Sequence, residues 1–375
     1  MRERKPRVLL IFGGRSAEHE VSVVSARSVI EALDPDRYDT VCVGIDQEGG
    51  WHLLPGPPAL PEGAAGELPA VASEAGSEVA LAREPGSREL VTQAGERRGF
   101  DVVFPVLHGP FGEDGTIQGL LELAGIPYVG AGVLASAVGM DKPTQKVLFR
   151  AAGLPVAPHV VVHEREWLED PESVEARAAD LGYPLFVKPS ALGSSVGITK
   201  VHEPGELSSA VKEALAYGRK ALVEGSIEGA RELEVSVLGN EDPVASVAGE
   251  IIPKGHEFYD YAAKYLDEHG AQLVIPAAIP SEVMEEVRRM AVAAFRSIDA
   301  EGMARVDFFY REPEELLVNE INTIPGFTQI SMYPKLWEAS GLSYPDLIDR
   351  LVALAMERHR RERRRGPGTD PAVDH

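Results

Sequence analysis

The chain has 375 residues, room for two or three domains at about 150 residues each. Its 59 acidic and 37 basic residues leave a net charge of −22, which repels phosphate backbones and argues against bulk nucleic-acid binding. Cys42 is the only cysteine, so an intrachain disulfide or a thiolate metal cluster is excluded, and no run of about 18 apolar residues offers a membrane span.

Basic Met1–Arg7 followed by apolar Val8–Phe12 imitates the start of a secretory signal. The run stops at Gly13-Gly14, however, and Arg15, Glu18, His19 and Glu20 follow without a small-residue cleavage site. The segment reads as the first β-strand of a soluble, cytoplasmic protein. Ser16–Leu33 carries apolar residues at 21, 24, 29, 30 and 33, a helical spacing, and Thr40–Ile45 reads as a second strand. Strand, helix and strand in that order predict a βαβ unit in an α/β domain. Residues 52–99 are rich in Pro, Gly, Ala and Glu and read as a surface insertion, after which Val102–Leu107 resumes the sheet. Asp141–Ala152 predicts a helix with Pro143 in its first turn and Gly153 past its end. Strands at Leu185–Lys188, Gly197–Val201 and Ala221–Glu224, with a helix around Pro204–Tyr217, form a smaller α+β unit. Strands return from Glu232, and Ser281 reads as the cap of an amphipathic helix with apolar positions 283, 287, 290, 291, 294, 295 and 298. Arg358–Arg365 is a basic run that reads as a solvated helix end.

Two local motifs lack the context their chemistry needs. Gly193-Ser194-Ser195-Val196-Gly197 matches the nucleophile elbow of serine hydrolases, but β-branched Ile198–Val201 follows where a helix is required. Gly130-Ala131-Gly132 resembles a dinucleotide fingerprint but lies far from the first strand and has no acidic partner about 20 residues on. With no Walker A sequence, ATP chemistry must use another phosphate-binding device.

One constellation persists. Ala304–Tyr310 and Leu316–Asn322 read as a hairpin across the polar break 311–315. Period-2 alternation puts Arg305 and Asp307 on one face, and a loop of 312–315 sets Asp307 across from Glu320 and Arg305 across from Asn322. Two carboxylates and an amide without His or Cys suit Mg²⁺ bound together with phosphate oxygens; a hairpin of solvated surface charges is the alternative. Lys188 ends a strand just before the Gly193–Gly197 loop, and Lys142 opens a helix, so each can supply charge to phosphates wrapped by backbone N–H groups.

At these positions the chain resembles the D-alanine–D-alanine ligases of the ATP-grasp superfamily, from about residue 7 to residue 355. The blocks that carry the resemblance are Phe12–Ser22, Leu107–Gly115, Met140–Lys142, Val187–Gly197, Phe258–Tyr265 and Asn319–Gly326. It implies a three-domain fold, α/β and α+β: a Rossmann-like domain over 1–140, a lid over 141–228, a C-terminal ATP-grasp domain over 229–360 with a mobile ω-loop, and a disordered tail over 361–375. It assigns ATP to Lys142, Lys188, Ser195, Glu224, Ile227 and Glu232, and two Mg²⁺ (or Mn²⁺) to Asp307, Glu320 and Asn322. Glu18 takes the first D-alanine's ammonium, helped by His108 and Ser194. Arg305 and the Gly326 amide face the reacting carboxyl, Ser331 and Met332 the second D-alanine, and Lys264 and Tyr265 close over the site. The implied reaction joins two D-alanines through an acyl phosphate for peptidoglycan synthesis, in a homodimer. Tyr265 favours an amine acceptor over D-lactate; a D-alanine–D-lactate ligase or another ATP-grasp carboxylate–amine ligase is the nearest alternative. A regulator that binds nucleotide without turnover is a further one. Gly225, the extra residue Ala230, Gln329 and Met332 depart from the family pattern.

Overall fold

The computed structural model describes residues 4–58, 69–72, 76–84, 86–254, 270–313 and 315–364. Its first sheet contains β1 (Arg7–Gly13), β2 (Asp39–Ile45), β3 (Trp51–Leu54), β4 (Ser77–Leu81), β5 (Glu89–Thr92), β6 (Arg97–Gly99) and β7 (Val102–Val106), in the order β6-β5-β4-β3-β2-β1-β7. β2, β1 and β7 pair in parallel, and α1 (His19–Ala32) links β1 to β2. Val8, Leu10 and Phe12 enter one core and Leu9 and Ile11 the other, so both faces of β1 are covered and its sequence is continuously apolar. The 52–99 segment departs from the expectation of a surface insertion. It adds four antiparallel strands to the sheet, short and half-exposed enough to show no clear periodicity.

Helices α2 (Thr116–Leu123), α3 (Val133–Met140) and α4 (Lys142–Ala151) lead out of this region. The Asp141 carboxylate accepts from the Thr144 N–H at 3.0 Å, and Pro143 sits in the first turn of α4, the start the sequence predicts. The second sheet is antiparallel, in the order β10-β9-β11-β8, from β8 (His159–His163), β9 (Leu185–Pro189), β10 (Thr199–Val201) and β11 (Lys220–Gly225). Helices α5 (Glu164–Glu169), α6 (Pro171–Ala179) and α7 (Pro204–Leu215) cover it.

The third sheet, β14-β13-β12-β15-β16, contains β12 (Arg231–Gly239), β13 (Val244–Pro253), β14 (Ala271–Val274), β15 (Gly302–Arg311) and β16 (Glu315–Asn322). Helix α8 (Ser281–Ser297) buries Val287, Met290, Ala291, Ala294 and Phe295 against it, the face its spacing predicts. Ser281 is not its cap: Pro280 precedes the first turn and the Ser281 hydroxyl bonds the Glu282 carboxylate. Helix α9 (Met332–Ala339) and helix α10 (Tyr344–Arg364) complete the described chain.

Helix α10 returns to the first sheet, where Leu347, Ile348 and Leu351 share a core with Val8, Leu10 and Phe12. Arg358 is not a solvated end residue. It is buried over the Tyr128 ring, 4.2 Å from its centroid, and donates to the Tyr128 carbonyl at 3.0 Å and to the Gly130 carbonyl. The helix also runs through Arg364, past the expected start of a disordered tail at 361. Residues 365–375 and the Phe258–Tyr265 loop, with Lys264 and Tyr265, lie outside the described residues. Among the described residues no helix is long and apolar enough to cross a membrane.

Candidate functional site

The hairpin of β15 and β16 builds the centre of the site. Val306, Phe308 and Tyr310 turn into the core, and Arg305 and Asp307 turn away from it. Arg305 pairs with Asn322 and Asp307 with Glu320, the facing the sequence predicts, but by another route. Pairing resumes after the turn at Arg311–Glu315, and the register then shifts between Asp307 and Phe308, leaving Asn319 as an extra residue on β16. That β-bulge supplies the one-residue step assigned beforehand to a longer loop.

Arg305 grips both oxygens of Asp307 at 2.7 Å and lies 3.0 Å from Glu234 Oε2, and Asn322 donates to Asp307 at 3.2 Å. These carboxylates keep the Arg305 guanidinium charged, offsetting the cost of its burial. Asp307, Glu320 and Asn322 offer hard oxygen donors on adjacent strands, a chemistry that fits Mg²⁺. Among the described residues, no group of three His, Cys, Asp or Glu suited to a metal occurs.

Two cavities meet at this hairpin. The smaller, about 320 Å³, lies between the second and third sheets; Lys142, Lys188, Ser195, Glu224, Ile227 and Glu232 line it. Lys142 donates to the Leu192 carbonyl at 2.8 Å and lies 3.1 Å from Glu320, which ties α4 to both the glycine-rich loop and the hairpin. Glu224 is buried between Lys146 and Lys188, at 2.5 and 2.6 Å. Burial alone would raise its pKa, but the two ammonium groups hold it down to about 2. A carboxylate has about four acceptor positions, so two lysines leave capacity for a further donor.

The larger cavity, about 570 Å³, is lined by Glu18, His108, Ser331, Met332 and Gly326 among others. Ser194 donates to Glu18, and Ser194 and Ser195 hold φ of 50° and 60°, a left-handed backbone that costs about 1–3 kcal/mol per residue and persists where its surroundings enforce it. Gly109 has φ 76°, and a Cβ there would come within 2.9 Å of Glu18 Oε2, so a side chain there would be strained and would displace that carboxylate. The His108 ring has both nitrogens engaged, Nδ1 with the Ile324 carbonyl at 3.1 Å and Nε2 with the Ser25 hydroxyl at 3.2 Å. Burial lowers its pKa despite the charge on Glu18, so the ring is neutral and braces the Ile324–Phe327 segment. Gly193, Ser194, Glu234, Arg305 and Glu320 face both cavities.

A family model described as "D-ala D-ala ligase N-terminus" matches residues 7–131, and one described as "D-ala D-ala ligase C-terminus" matches 148–353. The chain belongs to the D-alanine–D-alanine ligase family. It is 52% identical over 359 residues to the D-alanine–D-alanine ligase of Thermoanaerobacter sp. (strain X514), covering 95% of this chain and 98% of that one. The corresponding ligase of Arthrobacter sp. (strain FB24) is 50% identical over 364 residues, covering 94% and 95%. Among solved structures, the D-alanine–D-alanine ligase from Coxiella burnetii superposes with a TM-score of 0.83 at 38% identity, covering 96% of each chain. The VanG D-Ala:D-Ser ligase from Enterococcus faecalis superposes with a TM-score of 0.81 at 34% identity, covering 94% of this chain and 100% of that one. The activity is thus ATP-dependent ligation of D-alanine to D-alanine, on a three-domain ATP-grasp fold.

Within this ligase, every described residue singled out from sequence lines at least one of the two cavities; of the three assigned to metal, Asp307 faces only the smaller, Asn322 only the larger and Glu320 both. Four further residues escaped the sequence reading. Lys146 pairs with Glu224, Phe186 and Glu234 line the cavities, and Glu113 receives the N–H groups of Gly109 at 2.7 Å and Ile324 at 3.2 Å. Glu113 stands in the Leu107–Gly115 block, five residues after His108, and its place in that block was the available signal.

Proposed function

We propose that the ligase activates the first D-alanine as an acyl phosphate where the two cavities meet, and that the second D-alanine captures it there. The observation that carries this reading is the wall shared by both cavities, formed by Gly193, Ser194, Glu234, Arg305 and Glu320. In this reading ATP occupies the smaller cavity. Lys142, Lys188 and Ser195 hold its phosphates, Glu224 and Ile227 meet the adenine, and Glu232 meets the ribose. Glu18, oriented by Ser194, binds the first D-alanine's ammonium, and His108 acts by bracing the segment that carries Gly326. Asp307, Glu320 and Asn322 would hold Mg²⁺ or Mn²⁺, which when bound neutralises charge on phosphate oxygens.

A carboxylate oxygen of the first D-alanine attacks the γ-phosphorus, and the bond from that phosphorus to ADP breaks. The second D-alanine's ammonium loses a proton to solvent, its amine attacks the acyl carbon, and the bond from that carbon to the phosphate oxygen breaks, the phosphate leaving with the amine's second proton. Arg305 and the Gly326 N–H stabilise the oxyanion; losing one such donor costs on the order of 100-fold or more in rate. Ser331 and Met332 open α9, whose first-turn N–H groups suit the second carboxylate. Lys264 and Tyr265 close the site and exclude water, and Tyr265 sets the preference for an amine acceptor. The dipeptide serves peptidoglycan synthesis. The same reading divides the chain at 140 and 228 and makes the enzyme a cytoplasmic homodimer, which sedimentation at micromolar concentration tests.

D-alanine labelled with ¹⁸O in its carboxylate tests the intermediate. One labelled oxygen appearing in the released phosphate, with D-alanyl-D-alanine as product, is the expected result. Unlabelled phosphate would rule out the acyl phosphate, and efficient use of D-lactate as acceptor would overturn the role given to Tyr265.

A further inference from the structure

β16 is the edge strand of the third sheet, so one side of its backbone has no strand partner. Instead, α4 and the residues just after it occupy that side. The Val318 N–H donates to the Pro155 carbonyl at 2.9 Å, and the Ile321 N–H donates to the Gln145 side-chain carbonyl at 3.1 Å. The Gln145 amide also donates to the Ile321 carbonyl at 3.4 Å and to the Gly139 carbonyl, and the Lys146 ammonium donates to the Asn319 carbonyl at 3.1 Å. Gln145 and Lys146 are each 1% exposed, so these bonds form in the protein interior.

The spacing is informative. Outward N–H groups of a regular edge strand recur every two residues, yet the bonded ones here, 318 and 321, are three apart. The extra residue between them is the bulge. Pro155 and Gln145 belong to one short, packed segment, so the distance between their acceptors is set by α4 and not by β16.

We propose that Gln145, seconded by Lys146, is a positioning residue that holds the bulge and thereby sets which side chains of β16 face the active site. Without the bulge, β16 slips by one residue against β15. Asn319 then stands opposite Asp307 in place of Glu320, and every side chain beyond it changes face. Lys142 lies on the same helix three and four residues before the pair and reaches Glu320, so one face of α4 both sets the register and touches its result. The proposal rests on the metal assignment of Asp307, Glu320 and Asn322 for its functional consequence, but its structural half stands without any metal.

The experiment uses the full-length enzyme with Gln145→Leu, Gln145→Glu and Asp307→Asn. In metal-free protein, Gln145→Leu should raise hydrogen exchange at the Ile321 amide at least about tenfold, with core strand β12 unchanged. With ATP present, the Mg²⁺ midpoint should rise about tenfold, the size expected when a partner of a metal ligand is lost. Gln145→Glu keeps a side-chain oxygen that accepts the Ile321 N–H, so slow exchange and a near-parental midpoint are expected. Slow Ile321 exchange in Gln145→Leu, or fast exchange in a folded Gln145→Glu, overturns the proposal; the second arm decides even if the leucine variant does not fold. An unchanged Mg²⁺ midpoint in Asp307→Asn would instead sink the metal assignment and leave the exchange result standing.

Discussion

Beside the smaller cavity the buried Glu224 lies between Lys146 and Lys188, whereas the larger cavity brings Glu18 and Glu113 together beside a neutral His108. In the first, two cations hold a carboxylate ionised; in the second, burial and a neighbouring anion hold a carboxyl protonated. The contrast matches the ligands proposed for each. A polyanionic nucleotide meets the ammonium groups of Lys142 and Lys188, and an amino acid's ammonium meets the carboxyl groups of Glu18 and Glu113.

The largest expected effect strikes the junction that serves both cavities. Asp307→Asn should lower turnover on the order of a thousandfold, the scale on which charge-neutralising groups act in phosphoryl transfer. Phosphate release measures it, and thermal melting should show a folded protein, because Asp307 faces the cavity and not the core. Turnover within about tenfold of the parent would remove Asp307 from the reaction.

Lys146→Met sharpens the comparison by removing one of the two cations that hold Glu224. Lys188 stays 2.6 Å from Glu224, so no charge is stranded and the loss should fall short of the about 3–5 kcal/mol of a broken buried pair. Denaturant unfolding should show that smaller loss, and adding Glu224→Gln, which deprives Lys188 of its carboxylate, should lower stability further. The KM for ATP should rise while that for D-alanine holds. A double variant as stable as Lys146→Met would mean that Glu224 does not stabilise the buried Lys188.

The parts of this design legible in sequence are those with a local pattern. Alternation over Ala304–Tyr310 and Leu316–Asn322 shows that Arg305 shares a face with Asp307 and Glu320 with Asn322, though their mutual facing comes from a bulge where the sequence suggested a longer loop, and the continuous run Val8–Phe12 announces a strand covered on both faces. The bulge at Asn319 has no local signature, because Pro155 and Gln145, more than 160 residues away, impose it. Lys146 and Glu224 are far apart in the chain, and nothing in either neighbourhood marks them as a pair. Arg358 looks like one more arginine in a basic run, yet its partners Tyr128 and Gly130 lie 230 and 228 residues earlier in the chain. Strands β3 to β6 fail for a different reason: each spans three to five residues and few of their side chains are fully buried, too few for alternation to show.

Glu113 gives the smallest effect and the finest test of the contrast. Burial first, and then the charge on Glu18, raise its pKa from the ordinary 4.5 to about 8, so at pH 7 the empty site holds its proton. The native state therefore binds a proton that the unfolded chain releases between those values, and stability falls as pH rises from about 4.5 toward 8 relative to Glu113→Gln. An ammonium group arriving beside Glu18 reverses the electrostatic cause and should expel that proton. Titration calorimetry of D-alanine at pH 7, in two buffers of different ionisation enthalpy, should register release of up to about one proton per bound molecule. The release should vanish in Glu113→Gln with D-alanine still binding. Equal heats in both buffers for the parent enzyme would mean that Glu113 is already ionised before D-alanine arrives, and the contrast between an ionised Glu224 and a protonated Glu113 would fall.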